Sequence, residues 1–210
     1  MKRLIGSWLL ASLAVTVHAR TPEAGLKIEV HVYNYADVSP EMLAQAEQET
    51  ARIYQRAGLA IEWLNCPRTA EELAQNTTCD VPGGPTRFTL RLLSNEMARR
   101  FPVGGDIFGF ALLPVYQGFG VVANVFAGRA REMAPDEEWH RVLLGHLIAH
   151  ELGHLLLGEA GHPAGAGVMH VPWRTKELDE AKRGGMLFLP EQAKQIRAQV
   201  VRRAASQQEP

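Results

Sequence analysis

The sequence has 210 residues and a formal charge of −1, with 22 Lys and Arg against 23 Asp and Glu. A chain this close to neutral carries no basic field to favour nucleic acid. Its length suits a single domain with its own hydrophobic core.

Lys2 and Arg3 precede an apolar run from Leu4 to Val17, and Val17-His18-Ala19 is a small-residue exit. This pattern predicts a secretory signal peptide at residues 1–19, cleaved after Ala19. The run is shorter than the ~20 apolar residues that a spanning helix needs, so no stable membrane insertion is expected once it is removed. No Cys lies near the exit, which argues against a lipid anchor. The expected mature chain, residues 20–210, is a secreted or periplasmic domain with a formal charge of −3 after loss of Lys2 and Arg3. Ser206 to Pro210 is expected to be a frayed tail.

Leu26, Ile28, Val30 and Val32 alternate with polar or amphipathic residues, which predicts a strand with one core face. Ser39-Pro40 is a helix start, a capping residue followed by Pro. Leu43, Ala46, Thr50, Ile53 and Ala57 recur at spacings of three and four, and Gly58 ends that helix. Leu59-Ile61-Trp63 is a second strand, and so tight a strand–helix–strand succession predicts a parallel βαβ unit. In an exported chain Cys66 and Cys79 are expected to form a disulfide, a free buried pair being the alternative. Such a bridge closes a short polar loop and is worth about 3 kcal/mol on the loop-entropy account.

A third strand is marked by Phe88-Leu90-Leu92. Phe108 to Leu113 and Val121 to Phe126 are two more, joined through Tyr116-Gln117-Gly118. Pro135-Asp136-Glu137-Glu138 opens a long apolar helix, with acids at its positive end. Pro190 opens a last helix with Ala193, Ile196 and Val200 on one side.

The long helix carries His150-Glu151-Leu152-Gly153-His154. Residues four apart on a helix face the same way, so His150 and His154 present two imidazoles to one point. Glu151 lies beside that face, where its carboxylate reaches a water on the metal without binding the metal. Gly158 lets the chain turn back, and His162 follows where it completes a three-His shell. In an otherwise apolar helix, polar groups are costly to bury without a partner. The pattern predicts one Zn2+ per chain, held by His150, His154 and His162. Glu151 is the general base, acting on a water whose pKa zinc lowers towards ~7. His146, one turn earlier on the same face, is read as solvated or as lying beside the shell, with a ligand role as the alternative. Glu159 is badly phased for the same metal. His170 is read as a surface or hydrogen-bonding residue.

With Val168-Met169-His170-Val171-Pro172-Trp173 beyond the third His, the sequence resembles the metzincins, a clan of zinc metallopeptidases. Their signature is HExxHxxGxxH followed by a tight turn that carries a Met beneath the metal. His150, Glu151, His154, Gly158, His162 and Met169 take the corresponding roles. The resemblance implies an α/β (α+β) fold: a twisted mixed sheet with an antiparallel edge strand, a central active-site helix and a C-terminal helix. It also implies hydrolysis of peptide or protein substrates. On this reading the strand from Val121 to Phe126 is the edge that pairs with an extended substrate, placing Val125 and Phe126 beside it. Pro172 and Trp173 wall the side-chain pocket. The sequence departs from the clan in three ways. The spacing is HExxHxxxGxxxH, so the step from His154 to His162 is eight positions where the clan has six. The Tyr that follows the Met in several members is absent. Only about six residues separate Ala19 from the first strand, so the inhibitory segment of many members is not expected.

Three alternatives stay open on the residues alone. Glu177 or Glu180 could be the third ligand, as in the other large HExxH group. The site could hydrolyse a non-peptide amide. The chain could also be a secreted module that holds zinc without catalysis, although Glu151 beside an open fourth position argues for chemistry.

Overall fold

The computed structural model describes residues 25–75, 79, 84–158, 162 and 166–207. The expected signal peptide, Glu159 and the last three residues lie outside that set. The elements run β1 (Lys27–Asn34), α1 (Pro40–Arg56), β2 (Ala60–Asn65), α2 (Ala70–Gln75), β3 (Arg87–Leu92) and α3 (Asn95–Ala98). They continue with β4 (Gly109–Leu112), β5 (Val122–Val125), α4 (Ala127–Met133), α5 (Glu137–Leu157), α6 (Thr175–Lys182) and α7 (Pro190–Ser206).

The five strands form one mixed sheet in the order β2-β1-β3-β5-β4. β1 pairs in parallel with β2 and β3, β3 pairs in parallel with β5, and β4 alone is antiparallel, against β5. The predicted βαβ unit is therefore present, and so is the antiparallel edge strand, but the edge is β4. The expectation that residues 121–126 form the edge is corrected. β5 is hydrogen-bonded on both sides, and Val125 and Phe126 are fully buried.

The alternation in β1 sends Ile28, Val30 and Val32 into the main core, where they meet Leu43, Ala46 and Ile53 of α1 and Leu144 and Ile148 of α5. Ser39 caps α1 by accepting from Met42 N at 3.3 Å, with Pro40 in the first turn. Gly58, at φ 81°, takes the chain out of it. α1 approaches α5 closely at Gly145, where a Cβ would stand 2.9 Å from Ala46 O. Thr50 Oγ1 donates to Gly145 O at 2.8 Å and Tyr54 Oη to Ala149 O at 3.1 Å, so two buried side chains of α1 fix α5 in depth and register.

On the other side α7 locks on through Arg203. Its guanidinium donates to Pro85 O at 2.8 Å, to Gly120 O at 3.1 Å and to Leu155 O, and it stacks on Phe88 and Phe119. Burial lowers its pKa to about 10, still leaving it charged at neutral pH. Cys66 and Cys79 are joined by a disulfide with Cα atoms 5.8 Å apart, fastening the segment after β2.

Candidate metal centre

α5 begins at Asp136, whose carboxylate accepts from Trp139 N at 2.8 Å, with Glu137 and Glu138 in its first turn. Most of the helix is buried, including His146, His150 and Glu151. It ends at Gly158, whose φ of 75° and ψ of −160° belong to a region that only glycine enters freely. Beyond this turn the chain brings His162 back over the helix.

The three predicted histidines meet. His150 Nε2 lies 3.1 Å from both His154 Nε2 and His162 Nε2, and one ligand atom from each ring fits within a 4.8 Å cluster. His150 Nδ1 donates to Val168 O at 2.8 Å, so its Nε2 carries the lone pair facing inward. The His154 ring is oriented in the same way by the Gly158 backbone. Burial pushes the His150 pKa down to about 3 and that of His154 to about 4, and it lowers that of His162. Neutral imidazoles with inward lone pairs, two of them fixed from behind by backbone carbonyls, are the donor set that a divalent transition metal takes. The site thus fits zinc.

Met169 is fully buried and follows Val168, whose carbonyl holds His150. A Cβ on Gly153, inside the motif, would stand 2.6 Å from Met169 Sδ, so the helix meets the Met at a bare position. Nothing in the HExxH spacing marks Gly153, which falls at one of its unspecified positions. Gly109 was also missed. It is the first residue of β4, and a Cβ there would lie 2.6 Å from both Glu151 Oε1 and Asn124 O. The bare backbone of the edge strand therefore rests against the proposed general base.

Glu151 is 4% exposed, and its Oε2 has no hydrogen-bond partner among the described residues. Desolvation pushes its carboxyl up to about 8. It opens on a cleft of about 950 Å³, lined by the three histidines and otherwise by apolar groups apart from Asp106. Pro172 and Trp173 are in that lining, as expected, together with Leu143, Leu147 and Met133. Val125 and Phe126 are not. Phe126 packs instead with Leu93 and Ala98, because β5 is interior.

The remaining candidates lie apart from the cluster. His146 donates through Nδ1 to Val142 O at 2.8 Å, and Trp173 meets both His146 and His150 edge-on, at 6.3 and 5.6 Å between centroids. Glu177 accepts from Arg174 N at 2.9 Å to cap α6, and Glu180 accepts from Met186 N at 3.4 Å. Neither carboxylate joins the histidines among the described residues. The His170 carbonyl accepts from Trp173 Nε1, which ties the pocket wall to the turn after Met169.

No family model and no curated protein matches this sequence. Among solved structures, the chain is similar to the crystal structure of archaemetzincin from Methanopyrus kandleri. The TM-score is 0.51 and the identity 17%, with 86% of this chain and 98% of that chain covered. At that identity the likeness speaks for the fold, which is mixed α/β and of the archaemetzincin type.

Proposed function

We propose that this protein is a zinc-dependent peptidase acting outside the cytoplasm, with one Zn2+ per chain on His150, His154 and His162. The observation that carries this is the meeting of three inward-facing imidazoles with a buried carboxylate whose Oε2 has no hydrogen-bond partner among the described residues, at the floor of a large apolar cleft. Zinc held there supplies positive charge that lowers the pKa of a water, polarises a substrate carbonyl and favours the ionised form of Glu151.

The chain's own residues do the rest. An extended peptide adds to the free edge of β4 through main-chain hydrogen bonds. This lays the scissile carbonyl beside Glu151, where Gly109 leaves room. Glu151 takes a proton from the attacking water as the new C–O bond forms, and returns it to the amine as the C–N bond breaks. Leu143, Leu147, Pro172 and Trp173 receive an apolar side chain and exclude water. The Cys66–Cys79 bridge and the apolar leader at residues 4–17 support export to an oxidising compartment.

Glu151→Gln keeps the size and hydrogen bonding of the side chain but cannot accept the proton. It is expected to retain zinc by elemental analysis and to lose hydrolysis of a peptide library by on the order of 10²–10⁴-fold. A variant that cuts as fast as wild type would refute the role of Glu151. A wild-type protein that binds zinc and cuts no member of a broad library would instead point to a non-catalytic zinc module.

A further inference from the structure

The two edges of the sheet are built differently. β2, at one edge, carries Glu62, paired with Lys27 of β1 at 2.6 Å. β4, at the other edge, reads Gly-Phe-Ala-Leu and belongs to an unbroken stretch, from Asp106 to Arg129, whose interior has no Asp, Glu, Lys, Arg or His. Charged side chains are the usual guard against unwanted strand addition, so an edge without them invites a partner.

β4 runs on into a hairpin tip of the same character. Leu112 is 50% exposed, Val115 89% and Tyr116 90%, with Leu113 and Pro114 between them. Such a cluster of exposed apolar groups marks a contact surface. The tip is also anchored from behind. Arg203 donates to Gly120 O at 3.1 Å and stacks on Phe119, and Arg202 also lies against that ring. The return limb is thus clamped to α7. Ala111 and Leu113 line the catalytic cleft, so the patch is continuous with it. At ~3.3 Å per residue, Val115 stands up to about 20 Å along the chain from Gly109 and Glu151.

We propose that Leu112, Val115 and Tyr116 form an exosite for an uncharged, apolar flank of the polypeptide whose nearer residues pair with β4. The proposal rests on the peptidase reading. An extended chain is favoured over a bilayer because the patch continues a strand whose outer edge pairs with no other strand among the described residues, and lipid tails offer its backbone donors and acceptors no partner. A second copy seated on the same edge would close the cleft. The consequence is a length requirement: the enzyme favours unfolded, apolar segments that reach several residues beyond the scissile bond.

The test uses Val115→Ser, Tyr116→Ser and the double variant, none of which alters a residue of the cleft. The probes are a short peptide with about three residues on each side of the bond, and the same peptide extended by about six apolar or six acidic residues at either end, lengths chosen from the strand rise. In wild type the apolar extension at one end should lower KM, and the acidic one should not. In the double variant KM for the apolar peptide should rise about 5–10-fold, the loss expected for one or two exposed apolar contacts. Its kcat, the kinetics of the short peptide and thermal stability should not change. Equal KM for both proteins on the extended peptide overturns the proposal. So does binding to neutral phosphatidylcholine vesicles that the double variant loses, or a wild-type dimer that the double variant does not form. If wild type cuts no peptide, the peptidase reading fails, and anisotropy of the labelled extended peptide then decides the exosite: binding lost in the double variant supports it, and no binding by wild type overturns it.

Discussion

Gly109 and Gly153 show how much of this site depends on missing methyl groups. Each stands where a Cβ would come within 2.6 Å of a functional atom, Glu151 Oε1 in one case and Met169 Sδ in the other. The dyad of imidazoles four apart, the carboxylate between them and the third His beyond a glycine turn were all legible in the sequence, because helical spacing and Gly conformation are local properties. The two close approaches were not. They join β4 to α5 and Met169 to α5, and nothing in a one-dimensional pattern reports which distant segment touches a glycine. Gly109→Ala is expected to keep zinc while displacing Glu151 or the edge strand, lowering kcat by on the order of 10²-fold, the usual cost of misplacing a catalytic group by about 1 Å. Steady-state kinetics beside a zinc determination checks this; unchanged kcat would mean that the strand yields without moving Glu151.

At the level of elements, α1 and β1–β2 followed from periodicity, and the ends of α5 from its Asp136 and Gly158 caps. α2, α3, α4 and α6 did not, being too short for a repeating apolar stripe to register. The exchange of β4 for β5 at the edge has a different cause. Strand order is set by non-local pairing, and the chain visits the edge at β4 before returning to the interior at β5. A hint was present: Val-Val-Ala-Asn-Val-Phe is apolar on both faces, as suits a strand covered on both sides. α1 also carries a cost. Glu47 is 8% exposed, its Oε1 has no partner among the described residues, and burial pushes its carboxyl up to about 7 against the pull of Asn65. A carboxyl whose folded pKa is raised favours the fold below its unfolded value of 4.5, and loses that advantage as pH rises to about 7. Glu47→Gln should therefore match wild type near pH 4.5 and exceed it at pH 8 by on the order of 1–2 kcal/mol. Denaturant melts at the two pH values test the sign, and equal gains at both would place the effect elsewhere.

Across the whole molecule, the sheet, α1 and α7 act together to hold one helix still. Thr50 and Tyr54 fix α5 from one side and Arg203 from the other, each through backbone carbonyls of the helix itself. Two of the three imidazoles therefore ride on a helix held from both flanks through its own carbonyls. The third arrives from across the Gly158 turn, eight positions after His154.

That division of labour has a kinetic consequence. On the zinc reading, the helix would offer a two-toothed chelate held in one geometry, while His162 would be a tethered third tooth governed by its effective concentration at the metal. Gly158 sets that concentration, because its backbone conformation is one that a side chain resists. Gly158→Ala should leave capture of the metal by His150 and His154 almost untouched but let the third arm dwell elsewhere, so zinc escapes sooner. The expected result is a dissociation rate into excess chelator about 10-fold or more above wild type, at a similar association rate, for a strain of one to three kcal/mol. Stopped-flow transfer of zinc to a coloured chelator resolves the two rates. On the zinc reading, the lifetime of a bound metal, more than its capture, would be written into the single turn that follows the helix.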